Sequence, residues 1–325
     1  TAVGSNALFS NTIGVRNTAV GGGVTTAARA ALGSNTTGTD NTAVGHAALA
    51  GNTIGIQNTA VGTNALLANT TGNDNTAVGF AALDNNTIGQ NNTAVGSNAL
   101  GTNTTGGNNA AFGFNALLAN TTGSSNTALG RTALSANTTG DSNVAVGTSA
   151  MNANTTGSFN VAVGVDCLST NTIGTNNTAV GRSSLQTNGA GSSNTALGYN
   201  TLLANASGNF NTAIGTSSLT SNTGSFNTAV GNASLSANTT GEQNTAVGYL
   251  ALSANTTGRF NVAVGSQALD VATTAEYNTA VGSGALGATT TGSSNTAMGA
   301  DALLANTIGF DNCAFSFNTL YSNTT

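Results

Sequence analysis

Groups able to carry acid–base, nucleophilic or metal chemistry are scarce in this chain, and their spacing brings none together. His46 is the only histidine in 325 residues, and Cys167 and Cys313 are the only cysteines. A nucleophile needs a base within hydrogen-bond reach and a third group that orients the base. His46, set between Gly45 and Ala47 at a water-facing place in the repeat, offers no such set. The ten acids are scattered, with no dense pair to divide acid from base roles. No Cys/His cluster has zinc-site spacing. The run Gly21-Gly22-Gly23 lacks the Gly-Lys-Ser/Thr ending of a phosphate loop. All five cations are arginines, and the formal charge is -5, so no cationic cluster exists to hold a nucleic-acid backbone. The sequence therefore predicts no catalytic, cofactor or metal residue, no nucleic-acid partner, and a protein that is not an enzyme.

What the sequence does contain is a repeat. It reads N-T-A-V-G-x-x-A-L-x-x-N-T-T-G-x-x, as from Asn58 to Asp74, and starts again at Asn75. The leading Asn recurs every 17 residues from Asn41 to Asn312, apart from one 16-residue step between Asn211 and Asn227. A 24-residue step separates Asn17 from Asn41, an insertion of seven at 22–28 that is expected to bulge outward as a loop. With a partial unit at Thr1 there are 19 units, and the chain stops three residues short of a full one, as an excerpt of a longer repeat would. A fixed period of this kind decides the fold before any other feature.

The columns of the repeat divide into dry and wet. All fifteen charges fall at positions six, seven, ten, sixteen and seventeen of the unit. An unpaired buried charge is costly, so the charge-free columns read as interior or tightly turned. Position three is Ala throughout, position nine is Leu in every unit but one, where it is Met151, and position four is Val, Leu, Ile, Met or Phe. Val61, Leu66, Val78, Leu83, Val95 and Leu100 are the expected structural core. One unit holds too few large side chains to be stable alone, so it must stack on its neighbours. Asn at positions one and twelve would form amide ladders between units, as at Asn58, Asn75, Asn92, Asn69 and Asn120. Gly at positions five and fifteen would supply positive φ or close backbone approach.

No helix-period apolar stripe is visible, and Gly every few residues would break helices. The sequence predicts an all-β protein: one parallel β-solenoid domain over 1–325, of about 19 coils with a 17-residue repeat. At about 4.8 Å per coil it would be a rod roughly 90 Å long. Short strands are expected near positions two to four, seven to nine and twelve to fourteen. Cys167 and Cys313 stand too far apart in such a stack for a disulfide, which needs Cα atoms within ~7 Å. No apolar run approaches the ~20 residues of a membrane span. The Asn-Thr-Thr triplets match the N-glycosylation acceptor, but as one structural column they are read first as a ladder. Phe159, Phe210, Phe226, Phe260 and Tyr277 share position seventeen, a water-facing column, and make a candidate contact surface.

The string Asn-Thr-Ala-Val-Gly-x-x-Ala-Leu, at Asn58–Leu66 and Asn92–Leu100, resembles the head repeats of YadA-like trimeric autotransporter adhesins and the repeats of bacterial and phage tail-fibre-like proteins. The resemblance covers essentially the whole chain. It implies a left-handed β-roll, assembly as a homotrimer, an extracellular or cell-surface location, and adhesion to host or environmental surfaces. Two functions are expected. The leading one is a structural fibre or adhesin shaft whose open ends could join head to tail into a filament, with the trimer and the adhesion implied by the resemblance. The alternative is an ice-binding solenoid that presents Thr at position thirteen and Thr or Ile at position fourteen.

Overall fold

The computed structural model describes residues 1–23 and 29–324. Residues 24–28 of the predicted insertion loop therefore lie outside the described residues. The chain falls into two compact units, Thr1–Asn160 and Val161–Thr325. Each unit is a parallel β-solenoid with a 17-residue coil. The first contains strands β1 (Ala2–Val3) to β9 (Val144–Val146), and the second β10 (Val161–Val163) to β19 (Cys313–Phe315). No α-helix occurs among the described residues.

The strand of each coil is the Thr-Ala-Val of positions two to four. Thr and Val suit extended backbone, and consecutive strands pair parallel and in register, with Thr59 opposite Thr76, Ala60 opposite Ala77 and Val61 opposite Val78. The bonds run both ways along the stack. Thr76 N–H donates to Asn92 O on the following coil, and Gly79 N–H donates to Val61 O on the preceding one, both at 2.8 Å. Position five then turns the chain. Gly79 has φ +137°, and a Cβ there would sit 2.6 Å from Gly96 O, so both conformation and space demand glycine.

Among the described residues, the strands predicted at positions seven to nine and twelve to fourteen do not form; each coil has one strand there, and the rest turns. Position seven is left-handed, as at Asn64 (φ 59°), and so is the buried Leu at position nine, as at Leu66 (φ 55°). The local polarity of the backbone alternates with these signs. Asn64 N–H donates back to His46 O at 3.0 Å, whereas Leu66 N–H donates forward to Ala82 O at 2.9 Å. Coil-to-coil bonding therefore continues through the turns without a ladder of extended residues, which satisfies the buried backbone. A left-handed Leu is disfavoured by of order 1 kcal/mol, less than the ~1.5–3 kcal/mol its burial contributes.

The core is narrow. Ala60, Ala65 and Leu66 are fully buried, as are Ala77, Ala82 and Leu83. Leu66, Leu83 and Leu100 thus occupy the predicted interior, but Val61, Val78 and Val95 do not. Val61 and Val78 are 37% and 36% exposed, and Val95 is half-buried. The reason is the two-residue period of a strand. Ala60 points inward, so Thr59 and Val61 on either side of it point outward. Position fourteen is charge-free as well, yet Ile54 and Ile88 are exposed. Absence of charge marks two kinds of column here, the buried and the apolar-but-exposed.

Candidate interaction surfaces

Two amide ladders close each coil and fix what the outer columns can present. Asn75 Nδ2 donates to Asn58 Oδ1 at 3.2 Å and to Gly89 O of its own coil at 2.9 Å. Asn75 N–H also donates to Asn58 Oδ1, at 3.0 Å. Asn92 repeats the pattern on Asn75. In the second column Asn69 Nδ2 donates to Asn52 Oδ1 at 2.8 Å and to Gly72 O at 3.0 Å, and Asn120 does the same with Asn103 and Gly123. Gly72 O accepts from both Asn58 and Asn69, so the two ladders meet on one carbonyl. All five predicted ladder residues are fully buried. The triplets that match a glycosylation acceptor at Asn69 and Asn120 hold their amides inside the coil.

Position fifteen has no left-handed φ; its glycine is needed for space. A Cβ on Gly55 would collide with the Asn52 amide oxygen and with Gly72 O. One coil departs, with Ala272 in place of Asn and Ala275 in place of Gly, both fully buried. The two exchanges belong together, because removing the amide at position twelve removes one of the obstacles to a methyl at position fifteen. The cost is an interrupted ladder: Asn255 Oδ1, which would accept from residue 272, is buried without a partner. A coil later Thr289 replaces Asn and turns its hydroxyl to Asn306 O at 2.9 Å.

The outward columns form the candidate surfaces. The first is the position-four stripe. It is apolar in every unit of the sequence; many of its residues stand one-third to one-half exposed, as at Val44, Phe112 and Leu129 in the first unit and Leu197, Val247 and Met298 in the second, and others, such as Val146 and Val264, are half-buried. The second is position seventeen. Phe159 in the first unit and Phe210, Phe226, Phe260 and Tyr277 in the second are all exposed and all left-handed. Phe210 stacks on Phe226 with centroids 5.1 Å apart, and Phe260 stacks on Tyr277 at 4.8 Å. The rings of each pair spend one face on each other, so much of this column's packing is coil against coil.

A third column was not legible as one. At position sixteen the backbone N–H points to the next coil and takes a side-chain acceptor there: Gly107 N–H donates to Ser124 Oγ, Ser124 N–H to Asp141 Oδ1, and Ser192 N–H to Asn209 Oδ1. The recurrence of Ser, Asn and Asp was the available signal, and it was read only as tolerance of water. Charges are few. Arg16 forms an exposed pair with Asp40, Nε to Oδ1 at 2.5 Å; the hydrogen bond from Arg16 holds the Asp40 carboxyl below its ordinary range. Cys167 and Cys313 are both free, the first buried at position eight and the second exposed at position two. Among the described residues no three His, Cys, Asp or Glu come together, and no helix is long and apolar enough to cross a membrane.

No family model, curated protein or solved structure matches the chain.

Proposed function

We propose that the chain is the shaft of an extracellular or cell-surface structural fibre or adhesin, and that copies associate side by side through the position-four stripe. The observation that carries this reading is the stripe itself: apolar in all nineteen units, free of charge, and nowhere buried, with eleven of its residues 36–49% exposed. A monomer gains nothing from a regular apolar row on its outer face, and contiguous exposed apolar surface marks a contact site. Covering the exposed remainder of one Val is worth roughly 0.5–1 kcal/mol, a third of full burial, and the gain recurs in coil after coil. A second copy of this chain is the occupant that fits, because its apolar residues recur at the same coil spacing. Closed self-association of identical stripes leads to a dimer or a homotrimer, rather than to the open head-to-tail filament. Adhesion to host or environmental surfaces rests on the motif resemblance alone.

Ice binding is less well supported. The position-thirteen hydroxyls are committed inside the stack, with Thr70 Oγ1 donating to Thr87 O and Thr87 Oγ1 to Thr104 O, both at 3.0 Å. Ile54, Ile88 and Ile173 interrupt the Thr row of position fourteen.

Light scattering coupled to size exclusion tests the proposal. The wild type is expected as an oligomer, and the combined exchange Val61→Thr, Val78→Thr and Val95→Thr, nearly isosteric, is expected to release monomers with the β-sheet circular dichroism intact. A wild type that stays monomeric up to its solubility limit overturns the reading. A thermal hysteresis measurement on the same preparation serves the alternative.

A further inference from the structure

The outer face of positions six to eleven carries one feature that the repeat does not explain. Across the coils that begin at Asn261, Asn278 and Asn295, in the second unit, a cavity of about 650 Å³ opens on the surface. Its lining includes two glycines of the middle coil, Gly284 and Gly287. Neither glycine is there for the backbone. Position seven is left-handed with ordinary residues elsewhere, as at Asn64, Ala81, Thr132 and Leu250, so the φ of +66° at Gly284 does not call for glycine. What a Cβ on Gly284 would strike is Asp301 Oδ1, and a Cβ on Gly287 would come within 2.9 Å of Leu304 Cδ1. The two glycines make room for the Asp301 carboxylate to lie over their coil and for Leu304 to fold in beside it.

We propose that this notch, walled by Asp270 and Asp301, binds an alkylammonium group, carried by a free polyamine or by a lysine side chain. The lining divides by chemistry. Asp270 and Asp301 supply negative charge on two sides, and no Arg, Lys or His lines the cavity to neutralise it. Gln267, Ser283 and Thr290 add neutral acceptors for the remaining N–H groups. Val271, Ala288 and Leu304 give an apolar wall for methylenes. A hard cation such as Ca²⁺ takes six to eight oxygens and no apolar wall, and no third acid joins the pair. Partial burial raises the pKa of Asp270.

The first unit supplies an internal control. Position ten there also runs Asp84, Gly101, Leu118 over three coils, as it runs Asp270, Gly287, Leu304 in the second unit. Burial raises the pKa of Asp84 too. But Asp84 Oδ1 accepts from Asn85 Nδ2 at 3.1 Å, and position seven carries Asn98 and Asn115 where the second unit has Gly284 and Asp301. The Asp-Gly-Leu column is therefore shared, while the second carboxylate and the glycine at position seven belong to the second unit.

Titration calorimetry on the full chain tests this with cadaverine, spermidine, Nα-acetyl-lysine methylamide and CaCl₂ as separate ligands. One saturable site per chain is expected for the ammonium compounds. Asp301→Asn and Asp270→Asn should each weaken it at least tenfold, Gly284→Ala should weaken it by displacing Asp301, and Asp84→Asn should leave it unchanged. Unfolding midpoints confirm that each variant is folded. Tighter binding of the polyamines or of the lysine derivative identifies the source of the ammonium. Absence of binding, an equal loss in Asp84→Asn, or a calcium site that forms as tightly overturns the proposal.

Discussion

Val61 and Leu66 stand five residues apart in the same coil, and both columns are apolar along the entire chain, yet their burial is opposite. Leu66 is fully buried and Val61 is 37% exposed. The Leu column is the inside of the stack, held there by a left-handed turn; the Val column is the outside of the strand, placed there by the two-residue alternation about Ala60. Uniform apolar character thus answers to two demands. One is packing within a chain, and the other, on the reading proposed here, is packing between chains. Each experiment below separates inside from outside.

The largest contrast is chemical. Burial pushes the Cys167 thiol up to about 12, so at pH 8 its thiolate is about one part in ten thousand. Cys313 lies on the outer face of its strand and is exposed. An alkylating reagent at pH 8 is expected to label Cys313 and spare Cys167 in the native protein, with both labelled after denaturation; peptide mass mapping reads the result. Next in size is a paired truncation. Leu83→Ala should destabilise by about 2–5 kcal/mol, the cost of a buried Leu with its cavity. Val78→Ala should cost the isolated chain only about 1 kcal/mol, two carbons at roughly 0.8 kcal/mol each with about a third of that already in water. Equal losses in urea unfolding at concentrations where the chain is monomeric would erase the distinction.

The amide ladder comes third. Ala272→Asn alone places an amide against the Ala275 methyl and should destabilise by about 1–3 kcal/mol. Adding Ala275→Gly should recover that loss and bring a partner to Asn255 Oδ1, so the two changes couple in a double-mutant cycle. Additive effects would remove the explanation given for that coil. The smallest effect concerns a half-buried acid on the outer turns. The raised pKa of Asp84 means that the folded state holds its proton more tightly than the unfolded one, so stability falls as pH rises through the window between the two values. Asp84→Asn should therefore raise the unfolding midpoint slightly at pH 7, and the difference should vanish below about pH 4, where both states are protonated. A difference that persists in acid would point to packing rather than charge.

Much of this was legible in the residues. The Leu column, both Asn ladders and the glycines of positions five and fifteen follow from period, charge exclusion and hydrogen-bonding capacity. The strand count did not follow, because left-handed backbone at positions seven and nine has no compositional mark: Asn64, Ala81, Thr132 and Leu66 all adopt it. The backbone bonds that hold these residues are set by the neighbouring coil, not by local preference. The Val column does not follow from charge exclusion, because an apolar column without charge lies outside the stack as well as inside it. The pattern Thr-Ala-Val with invariant Ala already contained the answer, since alternation cannot bury both Ala60 and Val61. The notch at Gly284 was hidden for a different reason. Single substitutions in a repeat look like drift until one sees which neighbour moves into the space.

The two-way bonding of the coil bears on how such a chain changes length. Within each unit a regular coil gives N–H groups to the one behind it at positions five, seven and seventeen and to the one ahead at positions two, nine, eleven and thirteen, so joints between regular coils repeat one pattern. Cutting out or pasting in a complete regular coil preserves that pattern at the joint it leaves. Removing part of one is tolerated only at a turn with slack, as where the short Asn222-Thr223-Gly224 turn still lets Asn222 Nδ2 reach Gly224 O at 2.7 Å. A gene of this kind is free to drift in reach, by whole periods, without renegotiating its fold.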